Sequence, residues 1–326
     1  MPKLSRVVGG LFTVVLTVGG VFALLNWQWI TDSVTVYGYT PSQDIESLAT
    51  NSGMSDKGKF HFYSSLPKIT DASEFNASCQ RQEQSNPILG CYIAQTNRIF
   101  IYNVENPDLT GIEEVTAAHE MLHVAYSRLP QSQKDWLEPR LETAYNKLAD
   151  DKLKTRMDYY AKAEPGERFN ELHAILPTEH ADLGQELNDY YAKYFSNRHA
   201  VVDLYDSYNQ VFYQLENESK ELESRLSAEA KQLNADTQQY QTDVNSFNQD
   251  ISQFNNRAGS GYFSSQSAFD VARSALMSRA SQLDARKADL DTRIDEYNSG
   301  VDRLNQLGSQ IEKLNKSIDS HQGVNQ

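Results

Sequence analysis

From residue 201 to residue 326 the chain has no proline, and apolar or aromatic residues recur in it at fixed intervals. Phe269, Leu276, Leu283, Leu290, Tyr297, Leu304, Ile311 and Ile318 follow one another at steps of seven without exception. A repeat of seven sustained over this length keeps one stripe of a helix against a partner helix, as in a coiled coil. An earlier series runs through Leu204, Tyr208, Val211, Leu215, Leu222, Leu226, Leu233, Tyr240, Val244, Phe247, Ile251 and Phe254. Its steps alternate four and three from Leu233 onward if Thr237 is counted, and repeat every eleven between Val211 and Leu233, which locally relaxes or reverses the supercoil. "NNRAGSGYFSS", Asn255–Ser265, interrupts the pattern. Two seams of similar length joined by such a break predict a long antiparallel α-helical hairpin over residues 201–326. Ser219, Ala230 and Thr237 weaken the first seam, so a second copy of the chain or partner helices are expected to complete it.

The other end of the chain has the opposite character. Lys3 and Arg6 precede "VVGGLFTVVLTVGGVFALL", Val7–Leu25, which carries no charge, and Trp27 and Trp29 follow. At about 1.5 Å per residue that run matches the roughly 30 Å hydrocarbon thickness of a bilayer, and indoles favour its interface. The expectation is a single-pass anchor in a cell membrane within residues 1–30, with a cytoplasmic N-terminus and the bulk of the chain extracytoplasmic. A cleaved signal peptide, with Val21-Phe22-Ala23 as its cleavage site, competes with it; the run is longer than the usual apolar core of about 7–15 residues.

The formal charge of −14 divides evenly: residues 201–326 hold 12 Lys and Arg against 19 Asp and Glu, hence −7, and the remainder also sums to −7. With no basic stretch past the N-terminus, a nucleic-acid partner is excluded, because that binding rests on cations neutralising phosphates. The two cysteines, Cys79 and Cys91, are expected to be bridged in an oxidising compartment, where the closed loop stabilises by roughly 3 kcal/mol on a chain-entropy model. Two reduced, buried thiols are the alternative.

Residues 31–200 read as an α+β domain. "KFHFYSSLP", Lys59–Pro67, alternates aromatic and polar residues like a strand. Cys91–Ala94 and Arg98–Val104 read as two strands joined at Gln95-Thr96-Asn97. "DIESLATNSGM" and "DASEFNASC" read as short helices, and the stretch between Pro130 and Gly166 as further helices, with Pro139 starting the second or kinking the first.

The chemistry concentrates in "TGIEEVTAAHEMLHVAYSRLP", Thr110–Pro130. Thr110 and Glu113 have the spacing of a capping box, so a helix is expected from Gly111 to Arg128. His119 and His123 are four apart and share one face, among apolar Val115, Ala118, Met121, Leu122 and Ala125. Two neutral imidazoles at that spacing can bind one Zn²⁺ ion, and Glu120 beside them can take up the proton of a water acidified by it. Two core histidines without a metal are the plainer reading of the same residues.

In this His-Glu-x-x-His helix preceded by a strand, residues 60–200 resemble the zincin metallopeptidases. Tyr126 and Leu129 stand where the metzincin pattern needs Gly and His, and the inverted motif is absent. The resemblance is therefore to the gluzincins, whose third ligand is a glutamate on a later helix, often within Asn-Glu-x-x-Ala. Asn170-Glu171-Leu172-His173-Ala174 has that form, which implies Glu171 as third metal ligand after His119 and His123. The aminopeptidase-type Gly-x-Met-Glu-Asn signature is missing, so exopeptidase activity is not implied. Rival ligands are His173, Glu179 and His180. His173 is also a candidate catalytic residue beside Glu120, and Tyr159, Tyr160 and Tyr191 are candidate oxyanion donors. His61, His199 and His321 read as structural or exposed.

The expected whole is thus a membrane-anchored, extracytoplasmic zinc peptidase acting on a peptide or protein substrate. The alternative is a coiled-coil scaffold or binding protein whose zincin-like domain is catalytically inactive.

Overall fold

The computed structural model describes residues 26–79, 88–163 and 165–323. The chain divides into two compact units, residues 1–211 with 314–326 and residues 212–313.

In the first unit, helix α1 (Trp27–Gly38) is followed by α2 (Gln43–Asn51) and α3 (Asp56–Ser64). Strand β1 (Lys68–Thr70), helix α4 (Ala72–Ser78) and the hairpin of β2 (Gly90–Ile93) with β3 (Arg98–Tyr102) come next. The order in the sheet is β1-β3-β2, with β1 parallel to β3 and β2 antiparallel to it; Cys91 pairs with Phe100 and Ile69 with Ile101. After a 3₁₀ turn at Pro107–Leu109 come α5 (Ile112–Ser127), α6 (Gln131–Leu148), α7 (Asp151–Ala163), α8 (Arg168–Glu179) and α9 (Gln185–Tyr191). Helix α10 (Arg198–Gly259) starts here, and the end of α11 (Gln266–Ile318) returns with α12 (Ser320–Gly323).

The α+β class expected from the sequence is corrected: among the described residues twelve helices stand against three strands of three, four and five residues. The strand expected at Lys59–Pro67 is helix α3. Ser55 caps it, its hydroxyl accepting from the Gly58 amide at 3.2 Å, and Gly58, His61 and Phe62 form a buried helical face. Paired aromatics such as these satisfy either period, and the cap decides. The capping box at Thr110 is not formed either. Gly111 holds the N-cap with φ 98°, Thr110 donates to the Pro107 carbonyl, and the Glu113 carboxylate accepts from the Val104 amide at 2.7 Å. A Cβ at Gly111 would lie 2.9 Å from Leu204, so close packing and the left-handed turn both select glycine.

The single-pass anchor is also corrected. No helix among the described residues is long and apolar enough to cross a membrane. The run Val7–Leu25, on which the anchor and the assignment to a cell membrane rested, lies outside those residues.

Helix α5 is the centre of the core. It packs on α8, α3, α2, β2 and β3, and Ala117, Ala118, Met121, Leu122 and Val124 are fully buried. Truncating such a leucine to alanine typically costs 2–5 kcal/mol. Cys79 after α4 and Cys91 in β2 form the disulfide, with a Cα–Cα separation of 5.9 Å. This crosslink fixes the outer strand β2 to the helix before it.

The second unit is the middle of α10 and α11 running antiparallel. Arg279, Arg286 and Arg293, seven apart, pair with Asp250, Asp243 and Asp236, also seven apart and in reverse order. Nearer the first unit the seam becomes apolar: Leu222, Leu226 and Leu307 are buried with Leu215, Tyr297, Val301 and Leu304 around them. Gly300 admits Leu226, whose Cδ2 would lie 2.7 Å from a Cβ there. At the turn, Gly261 takes φ 70° and Phe263 stacks with Phe254 and Phe269 at 5.6 and 5.4 Å.

Candidate metal centre

Helix α5 presents His119, Glu120 and His123 to a groove of about 540 Å³. Its walls are β2, α7 and the start of α8, contributing among others Gly90, Tyr92, Tyr159, Tyr160, Asn170 and Glu171. Ligand atoms of His119, Glu120 and His123 all lie within 4.8 Å of one another, so the group could hold a metal ion. The two Nε2 atoms face each other at 3.0 Å, with the rings edge to face. Glu171, 5% exposed, reaches them from α8: its Oε1 is 3.6 Å from His123 Nε2 and its Oε2 is 3.8 Å from His119 Nε2.

Asn170 controls one of these rings. Its Nδ2 donates to Glu167 at 3.0 Å, which leaves its Oδ1 to accept from His123 Nδ1–H, also at 3.0 Å. The neutral His123 ring then carries its lone pair on Nε2, toward His119 and Glu171. Burial, helped by neighbouring His123, Arg156 and His173, holds the His119 imidazole well below its ordinary range, which favours its neutral form. Neutral rings are the form that binds metal.

Gly90 lies against Glu120. A Cβ there would come within 2.6 Å of Thr116 and 2.7 Å of Glu120 Oε1. Glycine in β2 thus lets the strand approach α5 closely enough to back the carboxylate.

The remaining candidates fall elsewhere. His173 does not line the groove; it is fully buried among Tyr126, Tyr190, Tyr191 and Tyr194, with its Nε2 3.0 Å from the Tyr190 hydroxyl. Burial pushes its pKa down to about 3. Tyr191 is inside the same cluster and donates to the His173 carbonyl at 3.0 Å. That carbonyl lacks a helical partner because Pro177, four residues on, has no N–H. Helix α8 continues through Pro177, so Glu179 stays helical and binds Arg156 at 2.6 Å. His180 is the C-cap. His61 is buried, and His199 and His321 are exposed.

The sequence reading missed the roles of Asn170, Gly90 and Lys134, which also lines the groove. Asn170 had a signal, its place directly before Glu171; the other two had none, because only the fold brings β2 and α6 to α5.

Compared with protein-family models, with curated proteins and with solved structures, the chain matches none.

Proposed function

We propose that the chain is a zinc-dependent peptidase of the gluzincin kind, in which His119, His123 and Glu171 hold the ion and Glu120 handles the proton. The observation that carries this reading is the triangle of two Nε2 atoms and the Glu171 carboxylate. A tetrahedral ion with bonds of about 2.0–2.1 Å separates its ligand atoms by roughly 3.3–3.4 Å. The separations of 3.0, 3.6 and 3.8 Å bracket that value. Glu120 is also near both histidines, but it follows His119 directly on α5, and Gly90 backs its carboxylate. Both Glu171 oxygens approach the imidazoles from a second helix, so Glu171 is the better third ligand and Glu120 stays available for proton transfer. Two imidazoles and one carboxylate are a donor set that zinc accepts while keeping an open position.

The ion, when bound, supplies Lewis-acid chemistry, polarising a carbonyl and acidifying a water. The side chains supply the rest. Asn170 orients His123 through Nδ1, and the buried Glu171 carboxylate balances the ion's charge. Glu120 takes a proton on a carboxylate oxygen and delivers it to the leaving amine, a role worth about 10²–10⁴-fold. Tyr159 and Tyr160 are hydroxyl donors on the same groove wall. Strand β2, the edge strand that lines the groove, offers main-chain groups along which an extended peptide can lie.

Glu120→Gln is expected to retain zinc and lose peptide hydrolysis by about 10²–10⁴-fold, whereas His123→Ala loses the zinc itself. Metal analysis and turnover of an unstructured protein such as casein check both. Full hydrolysis by Glu120→Gln overturns the assignment.

A further inference from the structure

Lys134 is the one cationic side chain among the described residues lining the groove; the other charged groups there are the carboxylates of Glu120, Glu167 and Glu171. It lies on α6, and its Nζ sits 4.4 Å above the ring centroid of Tyr126. Tyr126 is three residues past His123 on α5, about 4.5 Å further along the helix axis. Lys134 therefore lies toward the side of the groove beyond His123; Ala94, Gln95 and Ser127 are also among the residues that line the groove.

The ammonium has a carboxylate within reach by sequence, Glu138 one turn on, and does not use it. Glu138 instead accepts from the Tyr126 hydroxyl at 3.0 Å. Lys before Glu at this spacing is the weaker order for a helical pair. Among the described residues no carboxylate oxygen lies within 4.0 Å of Nζ, and the ammonium rests instead on the face of the Tyr126 ring. A positive group held over an aromatic floor, in a groove otherwise lined by negative ones, admits an anion on that side and repels it elsewhere.

We propose that Lys134 anchors a carboxylate of the substrate, either a chain terminus or an Asp or Glu side chain, and so sets which bond lies at the metal end. The proposal rests on the peptidase reading. It makes Lys134 a specificity-determining residue of the groove, one that acts on substrate binding.

The test uses the full zinc-loaded chain and paired N-acetylated peptides. One pair ends in a free carboxylate or an amide; another carries Asp or Asn at one internal position. Lys134→Ala is expected to raise KM at least tenfold for the carboxylate member of one pair, with a far smaller change for its neutral partner and in kcat. The pair that responds identifies the source of the carboxylate. Lys134→Arg restores most of the difference, and Lys134→Glu reverses the preference. A second readout is fluorescence anisotropy of the same peptides, labelled, on the Glu120→Gln chain with and without Lys134→Ala. Selective loss of carboxylate binding supports the anchor even where no peptide is hydrolysed, an outcome that would count against the peptidase reading alone. Equal effects of Lys134→Ala on both members of every pair, or none on any, overturn the proposal.

Discussion

His61 is 8% exposed, on α3 against Phe60 and Tyr194, and its buried Nδ1 has no hydrogen-bond partner among the described residues. Burial pushes its pKa down to about 4; Lys57 and Arg128 act in the same direction and Asp32 against it. The folded chain therefore resists a proton that the unfolded chain accepts near 6.5. Between those values the unfolded state binds more protons, so stability falls as the pH drops from about 6.5 toward 4. From pH 7 to pH 5 this one group removes about 2 kcal/mol. His61→Gln, compared with the unaltered chain by urea unfolding at both pH values, is expected to lose about that much less stability on acidification. An identical acid loss in both would mean that His61 is not the titrating group. In the groove, single residues act through contact in the same way: Gly90 by the side chain it lacks, Asn170 by the tautomer it enforces.

Among the elements, the hairpin carries the clearest division of labour. One stripe of α11 holds the seven-residue apolar series, and the adjoining stripe runs Arg279, Arg286, Arg293, Gly300, Leu307 and Leu314. Toward the turn this second stripe is ionic, and away from it small or apolar. The ionic pairs add to a register that the close fit of the seam also sets: a slip of one heptad would carry Arg293 from Asp236 to Glu229, which it already touches, but would take Gly300 away from Leu226. Arg286 and Asp243 are each about a third exposed and 2.7 Å apart. A double-mutant cycle on this pair is expected to give a coupling of about 0.2–1 kcal/mol that fades in 1 M salt. Swapping the two residues should recover most of what either single charge reversal loses. Thermal melts followed by circular dichroism measure this, and a coupling of zero would show that this pair does not contribute to the register.

At the scale of the molecule, the C-terminal segment belongs to the unit that holds the candidate metal centre. Ser320 is 3% exposed; its hydroxyl donates to Asn76 Oδ1 at 2.7 Å, and Asn76 Nδ2 returns a bond to the Ser320 carbonyl at 3.0 Å. Asn106 Nδ2 donates to the Ser317 hydroxyl at 3.1 Å. Residues 244 and 211 positions apart in the sequence thus meet within one unit. Asn76→Ala leaves Ser320 buried without these partners and should cost about 1–3 kcal/mol. Removal of residues 314–326 should destabilise the first unit while leaving the helical content of 212–313 largely in place. Urea unfolding followed by tryptophan fluorescence tests both, and no change with Asn76→Ala would deny the tail this role.

The sequence by itself determined what rests on periodicity and fixed spacing. The seven-residue repeat gave two long helices and the break between them, and His119 and His123 lie on one face because a helix must put them there. Cys79 and Cys91, the only two thiols, found each other. Tertiary structure decided whatever depends on which surfaces meet. It turned Lys59–Pro67 from an alternating strand into a helix, since paired aromatics fit either period and the Ser55 cap with the buried face made the choice. It made residues 31–200 predominantly helical, continued α8 through Pro177 by giving the His173 carbonyl a tyrosine hydroxyl, and buried His173 among tyrosines away from the groove. It also brought Glu171, Asn170, Gly90 and Lys134 to the histidines from three other elements. Side-chain meetings across such distances in the chain leave no local period in the sequence, because packing rather than propensity selects them.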